Sequence, residues 1–272
     1  MTDVPAERWD GLTAGEVAAR CGIPAAHLFA TVGSTNDVAR ALAEGGAPSG
    51  TAVLAEEQTA GRGRGGKGWA SAPGLGIWLS LVIRPTALPS PGLLPVLVGL
   101  AAADELDRWA GAGAAQVKWP NDLYLGGRKA GGILCEGIWS AGSASAVIVG
   151  LGLNVLHTPE DFPPEVRDTA TSLAIAFGAP PSRADVAESL IRAVVRAVSS
   201  PPARLSGALL DRLRARDYLL GRPVTVTGAE ETAGIAMGIT PEGRLLLRTV
   251  DGVLRAVESG TVRPTGPAVA AD

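Results

Sequence analysis

The sequence has 272 residues, of which 46% are apolar, with a formal net charge of −3 and a pI near 5.5. A chain of this length and apolar content can bury the core of one large domain, or of one large and one small domain. Its acidic balance excludes a positive field over the whole surface, so any site for an anion must be local. The two cysteines, Cys21 and Cys135, lie far apart and show no metal-ligand spacing, and with only two histidines in the sequence we expect no zinc site.

The first residues carry charges and contain no apolar signal segment, and the longest apolar runs are too short to span a bilayer. We therefore expect a cytoplasmic protein with no membrane partner. Residues 10–27 predict a helix, a glycine-containing turn and a second short helix. This order is weakly similar to that of a helix-turn-helix motif. This segment has one arginine and lacks a third element, so we expect a packing role and no DNA binding.

The next elements surround a loop rich in glycine and cations. Ser34-Thr35-Asn36 is an N-cap signal for an alanine-rich helix that ends near Glu44, with Val38 and Leu42 on its buried face. Residues 51–58 and 75–84 read as strands. The loop QTAGRGRGGKGW, residues 58–69, therefore joins one strand to another.

That loop matches three patterns at once: a dinucleotide fingerprint, a phosphate-binding loop and an RNA-binding RGG segment. The first two patterns require a helix directly after the glycines, because the helix N-terminus holds the phosphate. Here a strand follows, and Gly68 stands where a magnesium-binding Ser or Thr is needed. Both nucleotide patterns therefore fail on context, which leaves a flexible surface loop or a different ligand site.

The remainder predicts an α+β protein of two domains. A helix is expected at 93–109, strand–turn–strand at 116–125, a second glycine loop entering a strand at 126–136, a buried strand at 146–155, and helices at 183–199 and 203–219. From Gly221 onward the sequence consists of short segments in which apolar and polar residues alternate. They predict short strands separated by turns. We expect a large domain over residues 1–220, of which 1–27 are a short extension, and a small barrel over 221–272 with a frayed tail.

Lysine and asparagine are scarce and lie beside loop signals. The only lysines are Lys67, Lys118 and Lys129, and the only asparagines are Asn36, Asn121 and Asn154. Cations on separate loops at the ends of strands, with glycines that let backbone amides approach, describe a site for a polyanion such as ATP. Two histidines are too few for a Ser-His-Asp or Cys-His set, so catalysis would be electrostatic.

The same residues resemble biotin protein ligases. The match is carried by these segments in this order: Ser34-Thr35-Asn36, QTAGRGR from Gln58, KWPND from Lys118, RKAGGIL from Arg128 and GLGLNV from Gly150. It runs from about Leu28 to Pro264. The resemblance implies a catalytic domain like that of class II aminoacyl-tRNA synthetases, with a mixed, mainly antiparallel sheet, followed by a small SH3-like barrel.

The resemblance also implies a reaction in two steps. Biotin and ATP, with Mg²⁺, give biotinyl-5′-adenylate and pyrophosphate, and a lysine of a biotin carboxyl carrier protein then attacks the adenylate. It implies a monofunctional enzyme without an N-terminal DNA-binding domain, because about 27 residues are too few for a winged helix. We expect a monomer or weak homodimer.

Site residues follow from the same matches. The catalytic residues would be Lys129, Arg64 and Arg62. Biotin would be bound by Ser34, Thr35, Asn36, Gln58, Arg62, Gly63, Arg64, Lys129, Gly132, Gly150 and Gly152. ATP would be bound by Arg64, Lys67, Trp69, Lys118, Asn121, Asp122 and Asn154. The metal would come with ATP, near Asp122, with no set of protein ligands of its own.

Two other functions remain open at this point. A lipoate or octanoate ligase would share the fold and the adenylate chemistry, but it lacks KWPND and GRGR as a set. A nonenzymatic RNA-binding protein would use the RGRGG loop. The acidic pI, the 4% aromatic content and the strand–loop–strand setting argue against this function.

The glycine loop departs from the resemblance, because many relatives carry arginine where Gly65 and Lys67 stand. We predict that this poorer charge lets the adenylate escape faster than in relatives with the fuller basic loop. The measurement is the release rate of preformed biotinyl-adenylate from the wild type and from Gly65→Arg. Slower release from the variant supports the prediction, and equal rates contradict it.

Overall fold

The structure, a computed structural model, describes residues 3–87, 89–140, 143–179, 182–228 and 230–268. Its helices are α1 (Ala14–Cys21), α2 (Thr35–Glu44), α3 (Leu93–Ala110), α4 (Leu173–Phe177), α5 (Arg183–Ser199) and α6 (Gly207–Arg216). The strands up to residue 154 are β1 (Val4–Pro5), β2 (Arg8–Trp9), β3 (Leu12–Thr13), β4 (Ala26–Val32), β5 (Ala52–Gln58), β6 (Gly76–Ile83), β7 (Ala115–Lys118), β8 (Asp122–Leu125), β9 (Arg128–Ser140) and β10 (Ser143–Asn154). The remaining strands are β11 (Pro223–Thr227), β12 (Glu231–Ile239), β13 (Leu245–Arg248), β14 (Leu254–Val257) and β15 (Thr261–Pro264).

The main sheet is mixed and has eight strands in the order β1-β4-β5-β6-β10-β9-β8-β7. Among these described strands, β4 and β5 pair in parallel, and the other neighbouring pairs are antiparallel. The predicted mixed sheet is therefore confirmed. Because β1 pairs with β4, the first residues described are part of this sheet and do not form a separate appendage.

Side-chain alternation gives the sheet two unlike faces. On β10 the odd positions, such as Val149 and Leu151, join the large core made with α3 and α5. The even position Ile148 joins a smaller cluster beneath α2, and the next even positions are glycines. One face is thus packed with helices, whereas the other is covered at one end by α2 and is open farther along.

The segment at residues 10–27 differs from its prediction. Helix α1 begins with a capping box, in which Thr13 accepts from the amide of Glu16, and ends at Gly22 in the left-handed conformation. In this fully described stretch no second helix follows, because residues 26–32 extend as β4 inside the sheet. The prediction of a second helix is therefore wrong, and this segment does not form a helix-turn-helix.

Other predicted elements hold with changed details. Strands β5 and β6 confirm the strand–loop–strand setting of the glycine loop. Helix α2 buries Ala39 and Ala43 more deeply than Val38 and Leu42. Lys129 lies in strand β9 and not in a loop, and the last helix is shorter than predicted. Of the frayed tail, residues 269–272 lie outside the described residues.

The C-terminal strands form an antiparallel sheet in the order β14-β13-β12-β11-β15. It is fastened to the rest of the chain by buried contacts: Trp119 Nε1 donates to the Gly243 carbonyl at 2.9 Å, and Leu205 N donates to the Pro241 carbonyl at 2.8 Å. Val224, Ala236 and Leu247 belong to the same apolar core as α3. This sheet is therefore packed against the main one. Within the described residues, no helix combines the length and apolarity that crossing a bilayer requires.

Candidate active site

A cleft of about 800 Å³ lies on the open face of the main sheet. Its walls come from the N-terminus of α2, the glycine loop, the β7–β8 turn, β9, β10 and the start of β15. All seventeen site residues expected from the sequence line this cleft. The structure thus brings together side chains that are up to 120 positions apart, from Ser34 to Asn154.

A polar network fills the end of the cleft at the start of α2. Gln58 Oε1 accepts from the Thr35 amide at 2.9 Å and from Thr35 Oγ1 at 3.0 Å, and Gln58 Nε2 donates to Ser71 Oγ at 2.8 Å. Ser80 Oγ lies 2.6 Å from Asn36 Oδ1. Ser34 is buried at the N-cap position, but its side chain makes no capping bond. Its hydroxyl is therefore available to something other than the helix.

The glycines of β10 let other groups touch the sheet backbone. A Cβ on Gly150 would lie 2.4 Å from Asn36 Oδ1, and a Cβ on Gly152 would lie 2.7 Å from Trp69 Nε1. The indole of Trp69 also lies over Gly132 of the neighbouring strand. These glycines, which the sequence assigned to biotin, let Asn36 and Trp69 approach the strands closely.

The indole N–H of Trp69 is buried and has no hydrogen-bond partner among the described residues. Lys129 Nζ lies 5.1 Å from the centre of the same ring. An unpartnered buried donor is costly in water-free surroundings and marks a place where a ligand acceptor would be stabilising. Trp69 therefore lines the cleft as expected.

The glycine loop is an ordered hairpin. Gly63 N donates to the Lys67 carbonyl at 2.7 Å, and Trp69 N donates to the Gly61 carbonyl at 2.9 Å. Arg62 forms a two-pronged ion pair with Asp37 in the first turn of α2, with Nη1 2.8 Å from Oδ2. The pair raises the pKa of Arg62 and lowers that of Asp37 through their shared hydrogen bonds. The sequence did not predict that Asp37, which is not among the residues lining the cleft, holds Arg62 in place.

Arg64 reaches in the other direction. Its Nη1 lies 3.5 Å from Asn121 Oδ1 and 3.4 Å from the Gly260 carbonyl, at the edge of the C-terminal sheet. Burial lowers the pKa of its guanidinium. Within the described residues, no carboxylate lies within ion-pair distance of Arg64. Its charge is therefore held in the cleft by weak contacts with neutral oxygens.

One carboxylate stands between two lysines. Asp122 Oδ1 lies 2.7 Å from Lys129 Nζ, and Asp122 Oδ2 lies 3.7 Å from Lys118 Nζ. Burial lowers the pKa of Lys118, and the charge of Asp122 opposes that shift. One negative charge facing two positive ones leaves a net positive centre on this wall, which suits an anionic ligand.

The two asparagines brace the strands that carry these charges. Asn121 Nδ2 donates to the Ile133 carbonyl at 2.8 Å, and Asn154 Nδ2 donates to the Thr171 carbonyl at 3.0 Å. Thr171 N in turn donates to the Lys129 carbonyl at 2.8 Å. The KWPND turn thus has a structural role, because Asn121 braces it against β9. It does not prevent the remaining amide oxygens from meeting a ligand.

Sequence reasoning missed two parts of the wall. His157, stacked on Phe162 with ring centres 5.0 Å apart, lies close to Asn154 along the chain. Gly260, Thr261 and Val262 enter the cleft from the C-terminal sheet. Proximity to the GLGLNV segment was an available signal for His157, but nothing local in the sequence marks residues 260–262 as near the site.

The backbone refines the experiment on loop charge. Gly65 has φ +66°, a conformation that costs a residue with a Cβ about 1–2 kcal/mol. Gly68 is free of this constraint, because its φ is not positive and a Cβ there would meet no described atom within 4 Å. Gly68→Arg therefore adds a cation to the loop without this strain and is the matched partner of Gly65→Arg.

The residues present do not form a metal site by themselves. Within the described ranges, no group of three His, Cys, Asp or Glu side chains stands together. Asp122 is the carboxylate nearest the lysines, and both of its oxygens face ammonium groups.

Comparisons with known proteins agree with this geometry. The Biotin/lipoate A/B protein ligase family matches residues 28–154, and the Biotin protein ligase C terminal domain matches residues 219–262. The biotin--[acetyl-CoA-carboxylase] ligase of Mycobacterium tuberculosis is 36% identical over 243 residues, which cover 86% of this chain and 87% of that protein. This chain belongs to the biotin protein ligase family. The bifunctional ligase/repressor BirA of Bacillus subtilis is 37% identical over 81% of this chain and 68% of its own length.

The fold is also that of a biotin protein ligase. The enzyme of Aquifex aeolicus, solved in complex with biotin and ATP, superposes with a TM-score of 0.75 and 27% identity. The superposition covers 88% of this chain and 99% of that one. Both the main sheet and the C-terminal sheet of this biotin protein ligase therefore have counterparts in a solved relative.

Two buried groups predict opposite pH effects on stability. Burial lowers the pKa of His157 from 6.5 to about 4 and raises the pKa of Asp217 from 3.8 to about 6. Between pH 4 and 6.5 the folded state therefore binds fewer protons at His157 than the unfolded state does. The contribution of His157 to the free energy of unfolding is lost as the pH falls through this range. Between pH 3.8 and 6 the folded state binds more protons at Asp217 than the unfolded state does. The contribution of Asp217 to the free energy of unfolding is lost as the pH rises through this range.

We predict that His157→Gln removes a rising component from the free energy of unfolding between pH 4 and 6.5, and that Asp217→Asn removes a falling one. Each component amounts to at most about 1.4 kcal/mol per pH unit. Urea unfolding at half-unit pH steps measures the three curves. Curves for the two variants that run parallel to the wild type would contradict the assignment.

Proposed function

We propose that this protein is an ATP-dependent ligase that activates biotin as biotinyl-5′-AMP and transfers it to a lysine of a biotin carboxyl carrier protein domain. The observation that carries the proposal is the cleft, in which a small polar pocket at the start of α2 is continuous with a wall of cations. The named relatives are ligases that act with biotin, and the Aquifex structure contains biotin and ATP.

We further propose the finer architecture. The main sheet and its helices, residues 1–220, would be a catalytic domain like that of class II aminoacyl-tRNA synthetases. Residues 221–272 would be an SH3-like barrel. Support comes from the match of a separate C-terminal family to residues 219–262 and from the five-stranded antiparallel sheet observed there.

The biotin end would be the polar network at the start of α2. Ser34 is buried and its side chain caps no helix. Thr35 is hydrogen-bonded to Gln58, and Ser80 bonds both Thr35 and Asn36. Such preorganised donors and acceptors suit the uncharged ureido group of biotin. Gly132, Gly150 and Gly152 let the Trp69 indole and Asn36 lie against the sheet, and the rings and tail of biotin would lie beside that indole.

The nucleotide end would be the cationic wall. Arg62, Gly63 and Arg64 would meet the carboxylate and the α-phosphate, Lys67 and Lys118 the outer phosphates, and Asn154 the adenine. Lys129 would contact both the carboxylate and the phosphate from its position on β9. Fixed cations stabilise charge that develops on the phosphates, without reorganisation at the moment of reaction.

The chemistry requires no nucleophile from this chain. A biotin carboxylate oxygen attacks the α-phosphorus of ATP, the bond from that phosphorus to the bridging oxygen breaks, and pyrophosphate leaves. The carrier lysine, as a free amine, then attacks the acyl carbon, which forms an amide and releases AMP and a proton. Arg62, Arg64, Lys118 and Lys129 would hold the two anions together against their mutual repulsion.

Mg²⁺ bound to ATP would neutralise part of the charge of the leaving pyrophosphate. Asp122 would be the nearest protein carboxylate, while Lys118 and Lys129 keep it oriented. The protein would act as a monomer or weak homodimer in the cytoplasm, with the carrier protein as its macromolecular partner.

Biotin-dependent exchange between ATP and pyrophosphate tests this function. We predict that biotin stimulates the exchange and that lipoate and octanoate do not. Lys129→Ala should lower the biotin-dependent rate by at least about tenfold, because it removes a charged contact worth roughly 1.5–3 kcal/mol.

Arg128→Ala is the matched control, since Arg128 is exposed, adjacent to Lys129 and outside the cleft. It should leave the exchange rate close to that of the wild type. Exchange stimulated by lipoate or octanoate in place of biotin would move the assignment to the other branch of the matched family.

A further inference from the structure

The only two tyrosines of the sequence pack against each other beside the cleft with tilted rings. Tyr124 lies on β8, and Tyr218 lies between α6 and β11. Their ring centres are 4.4 Å apart with an interplanar angle of 37°. Neither tyrosine is among the described residues that line the cleft. Their position raises the question of what the pair supports.

On one side the pair carries an ammonium group. Lys118 Nζ lies 5.4 Å from the centre of the Tyr124 ring, within the range of a cation–π interaction. The Lys118 side chain is only 12% exposed, and burial lowers its pKa. Its carboxylate neighbour, Asp122, is 3.7 Å away and makes a shorter contact, 2.7 Å, with Lys129. The Tyr124 ring therefore supplies stabilisation that the shared carboxylate does not.

On the other side the pair is anchored to the link between the two sheets. Tyr218 N donates to the Val117 carbonyl at 3.0 Å, which fixes Tyr218 beside β7. The Arg222 guanidinium lies 4.5 Å from the centre of the Tyr218 ring, and its Nε donates to the Tyr218 carbonyl at 2.7 Å. Tyr218 is thus held from both ends, and it limits where the Tyr124 ring can lie.

Strand pairing places four side chains on one face of the sheet, namely those of Lys118, Asp122, Tyr124 and Lys129. Lys118 pairs with Asp122 across β7 and β8, and Tyr124 is two residues after Asp122, so that its side chain emerges on the same face. Lys129 is the partner of Tyr124 on β9. A change in the Tyr124 ring therefore bears directly on the two lysines of the cationic wall.

We propose that Tyr124 and Tyr218 are positioning residues for Lys118, which they hold as an ammonium group aimed at the nucleotide end of the cleft. This inference rests on the proposed function only for the identity of the anion that Lys118 meets, the phosphates of ATP. The Tyr218 contact also makes the link into the C-terminal sheet part of the support of this cation.

The position of Lys118 can be measured without any reaction. Because the protein has three lysines, an acylating reagent followed by peptide mass spectrometry reports on each of them. Removal of the ring in Tyr124→Leu or Tyr218→Leu exposes Lys118 and favours its reactive neutral form. Labelling of Lys118 relative to Lys67 should rise roughly 2- to 5-fold, the equivalent of a cation–π contact. Tyr124→Phe keeps the ring and should therefore label at Lys118 at close to the wild-type rate.

Trp109→Leu controls for the general effect of removing a partly buried aromatic ring, because Trp109 packs on the core outside the cleft. An unchanged Lys118 rate in both leucine variants overturns the inference. So does an equal rise at Lys67 and Lys129, or the same rise in Trp109→Leu, since each shows general loosening.

Kinetics then separate this inference from the proposed function. In biotin-dependent exchange, Tyr124→Leu should raise KM for ATP roughly 3- to 10-fold and leave KM for biotin within twofold, as expected for a misplaced phosphate contact. Equal increases in both KM values would overturn the positioning role. Absence of biotin-dependent exchange in the wild type would defeat the proposed function, while the labelling result would still decide the inference.

Discussion

The cleft depends on the close approach of side chains to bare backbone at the centre of the main sheet. Asn36 and Trp69 contact β10 where Gly150 and Gly152 stand, and a Cβ at either position would lie 2.4 or 2.7 Å from them. Because the sheet surface is empty there, α2 and the glycine hairpin can both reach it. The cleft that they line has a polar end at α2 and a cationic end at Lys118 and Lys129, which suits a molecule with an uncharged head and an anionic tail.

Electrostatics at the cationic end centre on a single carboxylate. Asp122 is shared by Lys118 and Lys129, so neither ammonium group is fully neutralised and both remain attractive to an anion. The two arginines of the hairpin differ in this respect. Arg62 is paired with Asp37 on α2, whereas Arg64 is half-buried beside neutral oxygens of Asn121 and Gly260. Arg64 is thus the better placed of the two to meet a phosphate, and Arg62 also ties the hairpin to α2.

Much of this site was predictable from the sequence because its residues lie at the ends of recognisable strands. Rare lysines and asparagines beside glycine loops marked the walls, and the strand–loop–strand setting removed two misleading glycine motifs. The contributions of Asp37, His157 and residues 260–262 were not predicted, because they arise from tertiary proximity that no local pattern encodes. The second helix expected within residues 10–27 is absent for a related reason: Ala26 and His27 pair with β5, which overrides the local helical preference of PAAH. Strand pairing likewise placed Lys129 within β9.

The central claim is that the charges gathered around Asp122 bind an adenylate whose other end lies over the glycines of β10. Isothermal titration of a nonhydrolysable biotinyl-adenylate analogue, with biotin alone as the reference ligand, tests it most directly. The account predicts that Lys129→Ala weakens binding of the analogue by at least about tenfold and binding of biotin by much less, since the lost contact is charged and lies at the phosphate end. Equal affinity of the wild type and Lys129→Ala for the analogue, or an equal loss for both ligands, would contradict it.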